Sequence, residues 1–213
     1  MQATPPAIEV EVYLDLICPW CLIGKKNLER ARDIFTSVPG HPPVIVHWRS
    51  VQLLPDVPLE GVDFEAFYRQ RLGSVERMRA RQAQIRAAAR QAGTEVHYER
   101  IRRFPNTQLA HRMLAYARKQ LPAERLDALL DAMLTGYFQQ GADLGDESTL
   151  STIGSRHGLD HAAWKAWMAS HPPELEQATS VPLFVFNQEI SISGAQPVEV
   201  MLEAMGEALA TVR

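Results

Sequence analysis

The amino-acid sequence describes an α/β chain in which a small sheet is split by a large all-helical insertion. Three observations carry that expectation. The first is strict alternation of apolar and polar residues from Ile8 to Leu14. The second is helical spacing that runs on for more than a hundred residues beyond Leu54-Pro55-Asp56-Val57-Pro58. The third is a return to short β-rich runs after His171-Pro172-Pro173. The expected boundaries are 1–54 for the first part of the sheet domain, 55–173 for the helical insertion and 174–213 for the second part. At 213 residues and 46% hydrophobic, the chain has the material for a sizeable core, as one large domain or two small ones.

Ile8, Val10, Val12 and Leu14 alternate with Glu9, Glu11, Tyr13 and Asp15, which predicts a strand with one buried face. A helix is expected over 20–35, stopped by the breaker run Pro39-Gly40-His41-Pro42-Pro43. Residues 44–49 then read as a second strand, completing a βαβ unit whose crossover should be right-handed. Inside the insertion, Val75, Met78, Gln82, Ile85, Ala89 and Ala92 step by three and four and mark one helix. Others are expected over 107–120, over 123–138 with Leu126, Leu129, Leu130, Met133 and Tyr137 inward, over 147–157 stopped by Gly158, and over 162–169 behind an Asp160 cap. Trp164, Trp167 and Met168 read as core residues of the last of these. Residues 183–186 and 189–193 are strands joined by a tight Asn187-Gln188 turn, and Pro197 opens a final helix to about residue 210. Strand, helix, strand, helical insertion, strand, strand, helix is the outline of a thioredoxin-like fold with a large all-helical insertion domain.

A net charge of −3 and an isoelectric point near 6.2 argue against a general nucleic-acid binder. Met1-Gln-Ala-Thr-Pro-Pro lacks a basic start followed by an apolar stretch, so no secretory signal is read there. No apolar run approaches membrane-spanning length. The expected location is therefore cytoplasmic, with no nucleic-acid or membrane partner. In that reducing compartment a cysteine pair is more often catalytic or metal-binding than structural.

The only two cysteines, Cys18 and Cys21, stand in Cys18-Pro19-Trp20-Cys21 at the strand-to-helix turn. Cys18 falls at the helix cap, Pro19 at the first helical position, where its missing N–H costs nothing, and Cys21 one turn in. Free N–H groups and the positive end of the helix dipole favour a Cys18 thiolate, the attacking species in disulfide exchange. The dipole contributes about 0.3–2 kcal/mol, roughly one pKa unit, so hydrogen bonds to the sulfur must supply any larger shift. Proline cannot donate one, which leaves the N–H groups of Trp20 and Cys21. Cys18 is the predicted attacker and Cys21 the resolving thiol. A structural disulfide here closes only four residues, worth about 2 kcal/mol. Zinc requires four ligands, and no second cysteine pair exists; His157 and His161 have helical spacing, but Gly158 is expected to break the helix between them. No metal is therefore expected.

Residues 15–31 (DLICPWCLIGKKNLERA), 105–114 (PNTQLAHRML), 143–150 (DLGDESTL) and 181–197 (VPLFVFNQEISISGAQP) together resemble the DsbA-family thioredoxins, specifically their FrnE-like branch. That branch is related to the 2-hydroxychromene-2-carboxylate isomerases and kappa-class glutathione transferases. The CPWC element alone is common to many redox proteins; the ordered set is specific. The resemblance implies Cys18 as nucleophile, Cys21 as resolver and Val181-Pro182 as a cis-proline loop facing them. The residue before such a proline offers its backbone to an extended peptide or to glutathione, which makes Val181 a substrate-contact candidate. FrnE-like chains carry a longer helical stretch before the cis-proline, whereas only PPELEQATS separates His171 from Val181. The helix that covers one sheet face should be short or absent, leaving the groove more open or completed by another subunit of a homodimer.

Other residues admit two readings each. Asp15, three before Cys18, is either a proton shuttle or a strand-end carboxylate. Trp20 either stacks on substrate or packs against the insertion. Asn106 and His111 either face the active-site cleft or serve as a helix cap and a partly buried helix residue. Ten arginines against three glutamates between Arg69 and Arg103 hint at an anionic ligand. Arg79, Arg86 and Arg90 share a flank, however, and a solvated helix face explains such a run better. The expected activity is thiol:disulfide oxidoreduction on protein or small-molecule thiols and disulfides, with no tightly bound cofactor and glutathione as a co-substrate. The alternatives are a glutathione-dependent isomerase or transferase, and a non-catalytic binding module. The resemblance disfavours the isomerase because those relatives generally carry Ser at the first motif position.

Overall fold

The alternation at the start of the chain becomes β1 (Ile8–Leu14), with Ile8, Val10, Val12 and Leu14 buried and Glu9, Glu11 and Tyr13 on the opposite face. The computed structural model describes residues 7–211; the stretch read for a secretory signal lies outside them. β1 pairs in parallel with β2 (Val44–Ser50) and antiparallel with β5 (Leu183–Phe186), which pairs antiparallel with β6 (Ile190–Ser193). The order β2-β1-β5-β6 places β1, and so the cysteine turn at its end, at the centre of the sheet. Residues 187–189 turn β5 into β6, Phe186 pairing with Ile190. Asn187 and Gln188 take φ of 47° and 62°, the left-handed pair of a type I′ turn closed by the Glu189 N–H on the Phe186 carbonyl at 3.0 Å, so the second strand begins one residue later than the pattern predicts. The Asn187 side chain accepts from the Glu9 N–H at 3.0 Å and donates to the Ala208 carbonyl at 3.0 Å, tying the turn to both neighbours.

α1 (Pro19–Thr36) and α8 (Val198–Thr211) pack together over the apolar sheet face. Leu22, Leu28, Ala31 and Phe35 of α1 meet Met201, Met205 and Ala208 of α8 in that layer. Full burial of each large side chain contributes about 1.5–3 kcal/mol. The other face bears a cross-strand hydrogen bond between Glu9 and His47 and a cross-strand ion pair of Glu11 with Arg49.

Between β2 and β5 the regular elements are helices, apart from a two-residue ladder of β3 (Val62–Asp63) with β4 (Arg103–Phe104). That ladder closes a hairpin of α2 (Phe64–Leu72) and α3 (Val75–Gln91). The helical spacing marks α3, but α2 and the ladder are additions to the pattern reading. α2 is capped by the Asp63 carboxylate, which accepts from Ala66 N–H at 2.8 Å, and is ended by Gly73 at φ +80°. α4 (Gln108–Gln120), α6 (Glu147–Arg156) and α7 (His161–Ser170) lie where the spacing predicts them. α5 (Ala123–Thr135) stops short of residue 138 and passes into a π-helical turn, Gly136–Gln140. The turn ends at Gly141, where a Cβ would sit 2.1 Å from the Arg100 carbonyl oxygen, so only glycine fits. Residues 171–182 form no helix. The Glu176 N–H donates to the Ser50 carbonyl at 2.7 Å, laying this segment beside the end of β2. Among the described residues no helix is long and apolar enough to cross a membrane.

Candidate active site

β1 delivers Asp15 and the cysteine turn to the C-terminal end of the central strand. The chain then reverses: Cys18 N–H donates to the Asp15 carbonyl at 3.1 Å, and Cys21 N–H to the Cys18 carbonyl at 2.9 Å. Cys18 occupies the cap in extended conformation and Pro19 opens α1, the arrangement the sequence predicts. Both thiols are free; Cys18 is 7% exposed and Cys21 1%.

The two sulfurs are pushed in opposite directions. Cys18 is held below the ordinary thiol pKa chiefly by a hydrogen bond from the Cys21 thiol, against the cost of burial, with the Cys21 and Trp20 N–H groups adding to it. These are the two backbone donors expected from the cap position. Cys21 is raised well above the ordinary value, first by burial and then by its bond to Cys18. The Asp15 carboxylate raises both. Shared between one thiolate and one thiol, the proton sits on Cys21.

The Val181–Pro182 bond is cis, and the Val181 carbonyl lies 3.8 Å from Cys18 Sγ. Gly24, on the second turn of α1, lets this loop approach. A Cβ there would stand 3.0 Å from both Pro182 Cγ and Phe184 Cζ. Glycine inside a helix costs about 1 kcal/mol relative to alanine, and that cost is the sequence signal that marks a close approach.

Asp15 stands at the end of β1 and is fully buried. Its Oδ2 accepts from Leu53 N–H at 2.8 Å, and its Oδ1 lies 3.1 Å from Nε2 of His111, which is itself buried on α4. His111 Nδ1 has no hydrogen-bond partner among the described residues. Asn106 is also buried. It donates to the Val57 carbonyl at 2.6 Å and accepts from Gln52 at 2.8 Å and from Gln108 N–H at 3.0 Å. The cap position of α4 is Thr107, one residue after the expected Asn106; Asn106 receives the first N–H of the helix from outside it while pinning the loop after β2. Neither Asn106 nor His111 lines the opening beside Cys18.

That opening is a cavity of about 260 Å³ between the cysteine turn and the α2–α3 hairpin. Leu54, Phe67, Leu72, Ile85 and Phe104 give it apolar walls, and Leu53, 42% exposed, stands at its edge. Trp20, half-buried, lines it as well, with the Arg81 guanidinium 5.3 Å above the indole ring. Trp20 thus both contacts the insertion and borders the cleft. Tyr68 lies here too, its hydroxyl pKa pushed up to about 12 by burial and by the Cys18 charge. Pattern reading missed Phe67, Tyr68 and Arg71, although they follow the helical spacing Phe64, Phe67, Tyr68, Arg71 between an Asp63 cap and a Gly73 stop. Arg79 and Arg90 are solvent-exposed as expected, and Arg86 pairs with Glu99 at 3.3 Å; Arg71 and Arg81 are exposed as well, and in addition border the cleft. Among the described residues no group of three or more His, Cys, Asp or Glu is placed to hold a metal ion.

A family profile for the DSBA-like thioredoxin domain matches residues 9–206. Among solved structures, a probable DsbA oxidoreductase from Streptomyces coelicolor is similar at 29% identity with a TM-score of 0.82, over 95% of this chain and 90% of that one. A 2-hydroxychromene-2-carboxylate isomerase superposes with a TM-score of 0.67 at 13% identity, covering 95% and 97% of the two chains. The cytosolic disulfide reductase DsbM from Pseudomonas aeruginosa, solved with GSH, superposes with a TM-score of 0.54 at 13% identity, covering 95% and 96%. At such identities the last two share the fold.

Proposed function

The chain belongs to the DSBA-like thioredoxin domain family, and from that premise we propose that it is a thiol:disulfide oxidoreductase with Cys18 as nucleophile and Cys21 as resolving thiol. The observation that carries the reading is the opposite displacement of two free thiols one helical turn apart, with the stabilised thiolate on the side of the cleft. A thiolate is the attacking species in exchange, and a thiol held protonated beside it waits until the mixed disulfide has formed.

In the reducing direction Cys18 Sγ attacks one sulfur of a substrate disulfide. A Cys18–substrate S–S bond forms, the substrate bond breaks, and the departing thiolate takes up a proton. Cys21 then gives its proton to Asp15 and attacks Cys18 Sγ. The Cys18–Cys21 disulfide forms and the second substrate thiolate leaves, to be protonated in turn. The protein loses two electrons and the substrate gains them. Two glutathione molecules, leaving as glutathione disulfide, restore the dithiol. The presence of GSH in the DsbM structure supports glutathione as that co-substrate, and the same likeness supports a cytoplasmic setting. Asp15 is the proposed proton acceptor, with His111 as a positioning residue that holds its carboxylate.

Disulfide reduction and oxidation by wild type, Cys18→Ser and Cys21→Ser test the reading. Loss of turnover without Cys18 and accumulation of a mixed disulfide without Cys21 are expected. Asp15→Asn is expected to slow release of the mixed disulfide. Glutathione-dependent isomerisation that persists in Cys21→Ser would overturn the proposal in favour of the isomerase, and absence of any turnover would leave a binding module.

A further inference from the structure

We propose that Arg71 and Arg81 make the Cys18 cleft selective for anionic disulfides, those carrying carboxylates close to the sulfur, over neutral and cationic ones. The inference rests on the oxidoreductase reading and names the substrate class that the site prefers.

Two guanidiniums border the cleft and, among the described residues, no carboxylate does. They come from different helices, Arg71 from the last turn of α2 and Arg81 from α3 beyond the Gly73-Ser74 corner, so they flank the entrance from two sides. A basic residue at the end of α2 also suits the helix dipole. Arg69 already fills that role, and it is the one paired with Glu65. Arg71 has no hydrogen bond or ion pair among the described residues. Arg81 donates to Gln84 Oε1 at 2.8 Å and lies over Trp20, which fixes its plane and leaves further N–H donors for a ligand. Both guanidiniums act on the Tyr68 hydroxyl inside the cleft, which also feels the Cys18 charge. Their positive field therefore reaches the space beside the reacting sulfur. With apolar walls below and two cations at the entrance, the site suits a small disulfide whose charged ends stay at the opening while its sulfurs descend to Cys18. Arginine is adapted to this because its planar fork matches a carboxylate with two parallel bonds.

The test is single-turnover oxidation of the pre-reduced protein, followed by tryptophan fluorescence. The disulfides are glutathione disulfide (anionic), hydroxyethyl disulfide (neutral) and cystamine (dicationic). Each reaction converts the dithiol to the Cys18–Cys21 disulfide and the reagent to two thiols. The readout is the rate constant for each charged reagent divided by that for the neutral one. In the double variant Arg71→Gln, Arg81→Gln the anionic ratio is expected to fall about tenfold and the cationic ratio to rise by a similar factor. The Lys, Lys double variant should keep most of the wild-type preference. Salt at 1 M, where the screening length is about 3 Å, should flatten the wild-type ratios and leave the Gln variant unmoved. Ratios that stay within about twofold of wild type in the Gln variant overturn the selectivity while leaving the oxidoreductase reading intact. A wild type that reacts with none of the three overturns both.

Discussion

Cys18 and Cys21 are chemically identical side chains within one helical turn, and their difference comes from hydrogen-bond direction and burial. The lowered Cys18 pKa means that its reaction with iodoacetamide should show a midpoint below that of an ordinary thiol, whereas the raised Cys21 pKa should leave that thiol unmodified through the same range. Peptide mapping of the alkylated protein between pH 5 and 9 decides it; equal labelling of the two sulfurs would contradict the assignment of attacker and resolver. Gly24 is the second such residue. Its missing side chain brings α1 against Pro182 and Phe184, so Gly24→Val should force those rings back and destabilise the protein by about 2–3 kcal/mol, read as a lowered urea midpoint with an unchanged slope. The cysteine pair was legible in the sequence because its spacing, the proline and the strand-to-helix switch coincide in four residues. Asp15, Asn106 and His111 were visible as candidates but their partners were not, because the bonds of Asp15 with His111 and of Asn106 with Gln52 join residues 96 and 54 positions apart. No local pattern reports such partners.

At the scale of elements, strands and long helices follow from apolar spacing, and β1, α1, β2, α3, α4, β5 and β6 were all legible that way. α2 was not separated from its surroundings. It is only nine residues long, and its apolar side chains are aromatic rings gathered around Phe104 from outside the helix rather than a stripe of aliphatics. The cap signals at both ends were the better guide. A helix this short is marginal on its own and depends on its caps. Asp63→Ala removes the bond to Ala66 N–H and should cost about 1 kcal/mol. Because α2 supplies Phe67, Tyr68 and Arg71 to the cleft, the loss should appear locally. Amide exchange in residues 64–72 should accelerate several-fold while β1 and β5 stay protected, and exchange that rises uniformly across the chain would show that α2 unfolds only with the whole.

Across the whole molecule, polar links tie the helical insertion to the sheet and so set where α2 and α3 stand over Cys18. Asp15 with His111 is one. Lys25 is another: buried on α1 under the Trp48 ring, it pairs with Glu29 of its own helix and with Asp131 of α5 at 3.0 Å. Lys26 reaches the same Asp131 carboxylate, also at 3.0 Å. Burial opposes charge on Asp131, yet the two lysines prevail and its pKa is lowered. A carboxylate depressed in the folded state contributes stability that is complete above its unfolded pKa, about 3.9, and is lost as pH falls through the lower folded value. Lys25→Met keeps the aliphatic stem against Trp48 and removes one of the two cations. The Asp131 side chain is one-third exposed and keeps Lys26, so the loss should be about 1–2 kcal/mol at pH 7, below the figure for a fully buried pair. With the depression reduced, the variant should also lose less on acid titration: the loss starts near the unfolded value in both proteins but ends at a higher pH in the variant. Urea unfolding at pH 7, 5, 4 and 3 measures both effects. Parallel acid limbs for the two proteins would mean that Asp131 is held by Lys26 alone, and that the contact between α1 and α5 is apolar in origin.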